Sequence, residues 1–120
     1  ISVPKAMYDD FVEICKPIKE INPEYPFEIT VAQPRKKPTT MGGTDASVFA
    51  VKGVPTYGFR EQDFKGYNFN YGEIWHTERD LYTKSIPEYM EHTSVVTAIV
   101  ALGVANLKHQ LSREGMYTDQ

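Results

Sequence analysis

Apolar residues recur at spacings of three and four near the start of the chain: Val3, Met7, Phe11, Ile14, Ile18 and Ile21. That repeat follows one face of an α-helix. Ser2 stands where an N-cap is expected, and Pro4 falls in the first turn, where a missing N–H is tolerated. Pro17 interrupts the stripe and predicts a kink or a restart, because its ring obstructs the carbonyl four residues back. Asn22-Pro23 closes the segment. The period then changes. Phe27-Glu28-Ile29-Thr30-Val31 alternates apolar and polar side chains and predicts a strand. Residues 33–41, with Pro34, Pro38 and the cationic run Arg35-Lys36-Lys37, read as a solvated loop.

Thr44 is placed to cap a short helix over 45–51, with Asp45 in the first turn where the helix dipole favours an acid. Gly53 suits its stop. A second strand is predicted over 54–59, entered through Pro55. Residues 60–74 are rich in Gly, Asn, Tyr and Phe and lack a clean period of either kind. They predict a long aromatic surface loop, of the sort that often carries function. Ser85-Ile86-Pro87-Glu88 has the form of a capping box and opens a helix expected to reach about Leu111. Its predicted stripe is Tyr89, Thr93, Val96, Val100, Gly103, Val104, Leu107 and Leu111, with Gly103 permitting close packing. The polar tail after Ser112 is expected to fray. The order strand, loop, short helix, strand is an α/β pattern.

Composition removes several function classes. Net charge is −3 and the pI about 5.6, so there is no basic field for nucleic acid and no polybasic membrane patch. The most apolar window, 95–107, is shorter than the roughly 20 residues a membrane span needs. Cys15 is the single cysteine, so no internal disulfide can form. It adjoins the apolar stripe and reads as a buried structural thiol.

The candidate chemistry centres on Trp75-His76-Thr77. Histidine is a common zinc ligand, but a zinc site takes about three or four protein donors. This chain has three histidines and one cysteine, with no His-x-x-x-His or Cys-x-x-Cys pair. Either His76 is structural, or the remaining donors lie outside these residues. Glu88 and His92, at i and i+4 on one predicted helix, read as an ordinary solvated pair. His92 and His109 fall on different faces of that predicted helix.

The run Gly42-Gly43-Thr44-Asp45-Ala46-Ser47-Val48-Phe49, then Lys52-Gly53-Val54-Pro55-Thr56, then Trp75-His76-Thr77-Glu78-Arg79-Asp80 and Pro87-Glu88-Tyr89, resembles a signature of the co-catalytic di-zinc exopeptidases. That superfamily includes zinc aminopeptidases, glutamate carboxypeptidases and glutaminyl cyclases. The match spans about 41–107. The resemblance implies an α/β fold: the C-terminal portion of a mostly parallel-sheet α/β/α sandwich, ending in a long helix. It implies that only the last metal ligand, His76, lies here. The other ligands and the general base would belong to an upstream part of the same catalytic domain. The complete enzyme is expected to hold zinc, two ions, and to hydrolyse a peptide or dipeptide-like substrate; the isolated chain is expected to be inactive. Asp45 would support the site, beside its simpler role at a helix start. Gly43, Thr44, Trp75 and Tyr71 are candidates to face substrate, although a tryptophan such as Trp75 is more often a packing residue. The aromatic residues Tyr57, Phe64, Tyr67, Phe69 and Tyr71 are open to either a substrate pocket or a cover for a sheet edge. Ala46 departs from the pattern, where many members carry His or Tyr. The resemblance slightly favours a secreted or periplasmic setting. Two alternatives remain beside hydrolysis: a glutaminyl-cyclase-like acyltransferase, and a non-catalytic relative that binds or dimerises. An unrelated α/β binding module is a third reading.

Overall fold

The N-terminal apolar stripe becomes α1 (Tyr8–Ile21), preceded by a 3-10 turn at Lys5–Met7. Ser2 does not cap it. Ser2 and Val3 instead form strand β1, which pairs in parallel with β2 (Thr30–Val31), and the Ser2 and Thr30 hydroxyls meet at 2.5 Å. α1 does not restart at Pro17: the helix continues through it. Pro17 lies on the exposed side, while Phe11, Cys15 and Ile18 anchor the buried side before and after it. Burial on both flanks holds the helix in register despite the lost hydrogen bond.

The computed structural model describes residues 1–68 and 70–118. Phe69, one of the loop aromatics, lies outside the described residues. After β2 come two one-turn helices, α2 (Ser47–Ala50) and α3 (Tyr71–Ile74), then a 3-10 turn at Tyr82–Lys84 and the long helix α4 (Pro87–Ala105). The fold is therefore a mixed α/β arrangement with a two-stranded parallel pair and a long helix near its end. Among the described residues, no helix is long and apolar enough to cross a membrane.

The core lies between α1 and α4. Val3, Met7, Phe11, Cys15, Ile18, Val96 and Val100 form one cluster, with Ile14 and Val104 at its margin. At Gly103 there is no room for a side chain: a Cβ there would run into the Ile14 side chain on α1. The close-packing expectation for Gly103 is met.

Four other local expectations are corrected. The predicted strand at 54–59 forms no ladder; the segment is extended, with Tyr57 and Phe59 half-buried against the core, but no strand among the described residues pairs with it. The capping box does not form. The Ser85 hydroxyl donates to the Tyr82 carbonyl, and Glu88 is drawn away to Tyr25 and Lys65, so Ile86 takes the N-cap place. Thr44 likewise caps nothing with its side chain, and α2 is shorter than 45–51. Finally, α4 stops at Ala105, and the tail does not fray throughout. Gly115, at φ 70°, turns the chain back; Met116 and Tyr117 return to the core at 8% and 5% exposure. Arg35 and Tyr117 form a parallel bridge, and the Tyr117 hydroxyl donates to the Ala50 carbonyl at 3.3 Å. Two apolar side chains buried after a permissive glycine outweigh the polarity of their neighbours.

Candidate functional site

Asn70 starts α3: its side chain accepts from the Gly72 amide at 3.1 Å, satisfying a free N–H of the first turn. The helix lasts one turn. Trp75 is its C-cap, and His76 follows with φ at 56°, the left-handed position that helix ends usually give to glycine. Thr77 completes the stop. Its hydroxyl is within hydrogen-bond distance of the Glu73 and Ile74 carbonyls, at 3.0 and 2.9 Å, and its amide donates to Ile74 at 3.1 Å. Trp-His-Thr is thus a helix terminator that leaves His76 exposed.

Tyr71 and Trp75, one turn apart, stack with ring centroids 6.0 Å apart, and the His76 ring stands edge-on to Trp75 at 4.5 Å. Both aromatic residues are largely exposed, at 60% and 57%. A ledge of two rings therefore adjoins an imidazole that makes no hydrogen bond with any described residue.

Gly43, Thr44 and Asp45 occupy an exposed turn before α2. Gly43, at φ 82°, permits the turn, and the Gly42 amide donates to the Ser47 hydroxyl at 2.9 Å. Among the described residues, no hydrogen bond, ion pair or ring contact joins this turn to the 71–76 segment. The structure thus brings Tyr71, Trp75 and His76 together, and leaves Asp45, Thr44 and Gly43 on a separate surface turn.

As a zinc site, the residues fit one position. His76 supplies a nitrogen donor of the type zinc accepts. Among the described residues, no three His, Cys, Asp or Glu side chains stand together as a metal-holding group. A ligating imidazole commonly gives its second N–H to a carboxylate or carbonyl, and no described residue receives it here.

The most developed polar network lies elsewhere. Tyr25, buried between the end of α1 and the start of α4, donates its hydroxyl to Glu88 at 2.9 Å, and Lys65 forms an ion pair with the same carboxylate. Lys65, then the Tyr67 and Tyr25 hydroxyls, hold the Glu88 carboxyl down to about 2. The same bond to Glu88 raises the Lys65 ammonium above its usual range. The Tyr89 hydroxyl accepts from the Lys65 amide at 3.0 Å and donates to Asp63 at 2.9 Å. His92 stacks on Tyr25 at 4.3 Å and meets Asn22 at 3.0 Å; burial lowers its pKa. Glu88 and His92 are therefore not a free solvated pair: each is held by a side chain from another segment. His109 lies beyond α4 and pairs with Asp10 on α1 at 3.0 Å. Sequence spacing missed this network because its members come from three distant segments. The only local signal was the density of Tyr and Phe around Lys65.

A cleft of about 580 Å³ separates the β1–β2 pair from the extended 55–62 stretch, with Tyr25, His92 and Val96 among its lining. It does not include His76. A smaller depression of about 280 Å³, lined by Ile74, Asp80, Leu81, Tyr82, Lys84 and Ser85, lies along the segment that bears His76.

No protein-family model matches the chain, nor does any curated protein or any solved structure.

Proposed function

We propose that this chain is the His76-bearing part of a di-zinc exopeptidase catalytic domain, the C-terminal portion of an α/β/α sandwich whose remaining ligands and general base lie upstream. The observation that carries the reading is the conformation of His76. It occupies a left-handed position at an exposed helix end, where a non-glycine residue costs roughly 1–3 kcal/mol and where such strain tends to accompany function. The ordered motifs around it give that strain a purpose: presenting an imidazole to a metal.

The outer surfaces support a larger domain. Parallel strands are normally buried on both faces, and a two-stranded sheet is not stable alone. Here Val31 is exposed and 54–59 is extended but unpaired. Helix α4 is apolar on nearly every side, yet Met90 and Leu102 face solvent, the latter at 66% exposure. Such a helix is built to be covered on more than one face.

When bound, the zinc ions supply Lewis acidity and a hydrolytic nucleophile near neutral pH. This chain's own residues bind and orient. His76 holds one ion. The Tyr71–Trp75 ledge offers apolar area to a side chain of a peptide substrate. The Gly43 backbone and the Thr44 hydroxyl serve the substrate edge, and Asp45 supports the site once the rest of the domain closes the distance. The isolated chain, with one donor, does not turn over.

Zinc titration by calorimetry on the chain, with His76→Ala beside it, tests this. Weak binding that disappears in the variant supports the reading. Binding indifferent to the substitution removes His76 from the site. Tight stoichiometric binding by the unaltered chain would mean a complete ligand set within these residues and would overturn the partial-site reading.

A further inference from the structure

The segment that carries His76 is tied to the body of the protein at its neck. Among the described residues of 70–84, none is buried. Their hydrogen bonds are local: Glu73 to Asn70, Trp75 to Tyr71, Thr77 to Ile74, Asp80 to Thr77 and Lys84 to Leu81. The Arg79–Glu73 ion pair, at 3.5 Å, is internal as well. A segment with no buried side chain and only short-range bonds has little to fix it against the core.

The neck is different. Where the chain leaves the body, at 63–67, and where it returns, at Glu88 and Tyr89, the two strands of chain are bound together. Lys65 pairs with Glu88. Tyr89, only 5% exposed, accepts from the Lys65 amide and donates to Asp63, whose carboxylate also takes the Tyr67 amide at 2.8 Å. The Tyr89 ring lies against Phe64, at 5.7 Å, and Tyr67, at 5.5 Å. Tyr25 adds the third wall through Glu88 and the Phe64 ring. Glu88 and Tyr89 stand in the first turn of α4, whose Val96 and Val100 lie in the core, so the neck is anchored to it.

We infer that Tyr89, Glu88 and Lys65 form a latch that closes the neck of the His76-bearing segment and are positioning residues for His76. With the latch closed, the segment leaves the body at a fixed place and angle. With it open, the 70–84 segment is held to the body less firmly, and the imidazole samples a wider volume. The consequence for metal binding rests on the proposed role of His76; the latch itself does not.

The test uses the chain itself with four variants. Tyr89→Phe keeps the ring contacts and removes both hydroxyl bonds. Lys65→Met removes the charge, Glu88→Gln weakens the pair, and Lys65→Arg retains it. Brief trypsin digestion is read as cleavage after Arg79 and Lys84 relative to cleavage after Lys19 in α1. This ratio separates neck opening from global unfolding. It is expected to rise on the order of tenfold in Tyr89→Phe and Lys65→Met, as for loss of a charge-assisted bond, less in Glu88→Gln, and to return toward the starting value in Lys65→Arg. The NMR signals of the His76 ring are expected to shift in the first two variants while those of His109 do not. An unchanged His76 ring together with an unchanged cleavage ratio overturns the latch. A latch that passes while zinc titration fails leaves the neck intact as a finding and removes only its metal-site purpose.

Discussion

Two regions of this molecule are built by opposite rules. The α1–α4 core has fully buried Phe11 and Ile18 with Met7 beside them, a glycine against Ile14 with no room for a side chain, and apolar contacts from residues almost the whole chain apart. The 70–84 segment has exposed aromatic rings, local hydrogen bonds and a histidine in a left-handed conformation. Stability is concentrated in the first, and the candidate chemistry in the second. The difference shows how a protein can hold a strained, solvent-facing residue: the strain sits where little packing depends on it, and a polar neck transmits the rigidity of the helix pair.

Perturbations should separate the two regions by size. Phe11→Ala empties the centre of the helix interface and should destabilise the chain by about 3–5 kcal/mol, read as a lower urea midpoint. Gly103→Val forces side-chain bulk into Ile14 and should cost about 1–3 kcal/mol by the same measurement, with the largest backbone shifts on α1. If Gly103→Val were neutral, the close approach of the helices would not be a constraint.

Acid should act on the neck before the core. The Glu88 carboxyl is held at about 2 in the folded chain, against 4.5 for the ordinary group. Its contribution is therefore complete above about pH 4.5 and is lost as pH falls toward 2. Amide exchange of Lys65 and Tyr67 should quicken across that window while exchange within the α1 interior lags behind. Simultaneous loss of protection in both regions would erase the distinction between them. The smallest effects belong to the segment itself. Trp75→Ala should leave global stability within about 0.5 kcal/mol, because the residue is not buried, and His76→Gly should raise it by about 1 kcal/mol, because glycine relieves the left-handed backbone. A large loss of the urea midpoint in either would show that the segment carries core packing after all.

The spacing of Phe11, Ile14 and Ile18 specified the inner face of α1 by periodicity alone, and Tyr89, Val96 and Val100 that of α4, while Val3 and Met7 of the same stripe went to β1 and the 3-10 turn. Both faces follow from the geometry of a helix, which needs only near neighbours. The candidate site was legible only as a motif, because Trp75-His76-Thr77 lies wholly within one short segment; its helix-ending conformation was not. The network around Glu88 was not, because a carboxylate with a serine three residues before it looks like half of a capping box until Lys65 and Tyr25 arrive from elsewhere. The strand predicted at 54–59 shows the same limit from the other side. Alternation prepares a segment for pairing, but a ladder needs a second strand, and sequence periodicity says nothing of whether one is near.

What the sequence determined by itself was therefore whatever a dozen consecutive residues can settle: the buried faces of α1 and α4 and the small residue at Gly103; the one-turn helix before His76 fell inside a predicted loop. What only the tertiary structure decided was every competition between distant groups. Glu88 chose Lys65 over Ser85, Ser2 chose Thr30 over α1, and the chain after Gly115 returned to the core instead of fraying. In each case a local polar preference worth about 1 kcal/mol met a long-range ion pair, ladder or burial of comparable or greater strength, and only the fold fixes which of the two can form.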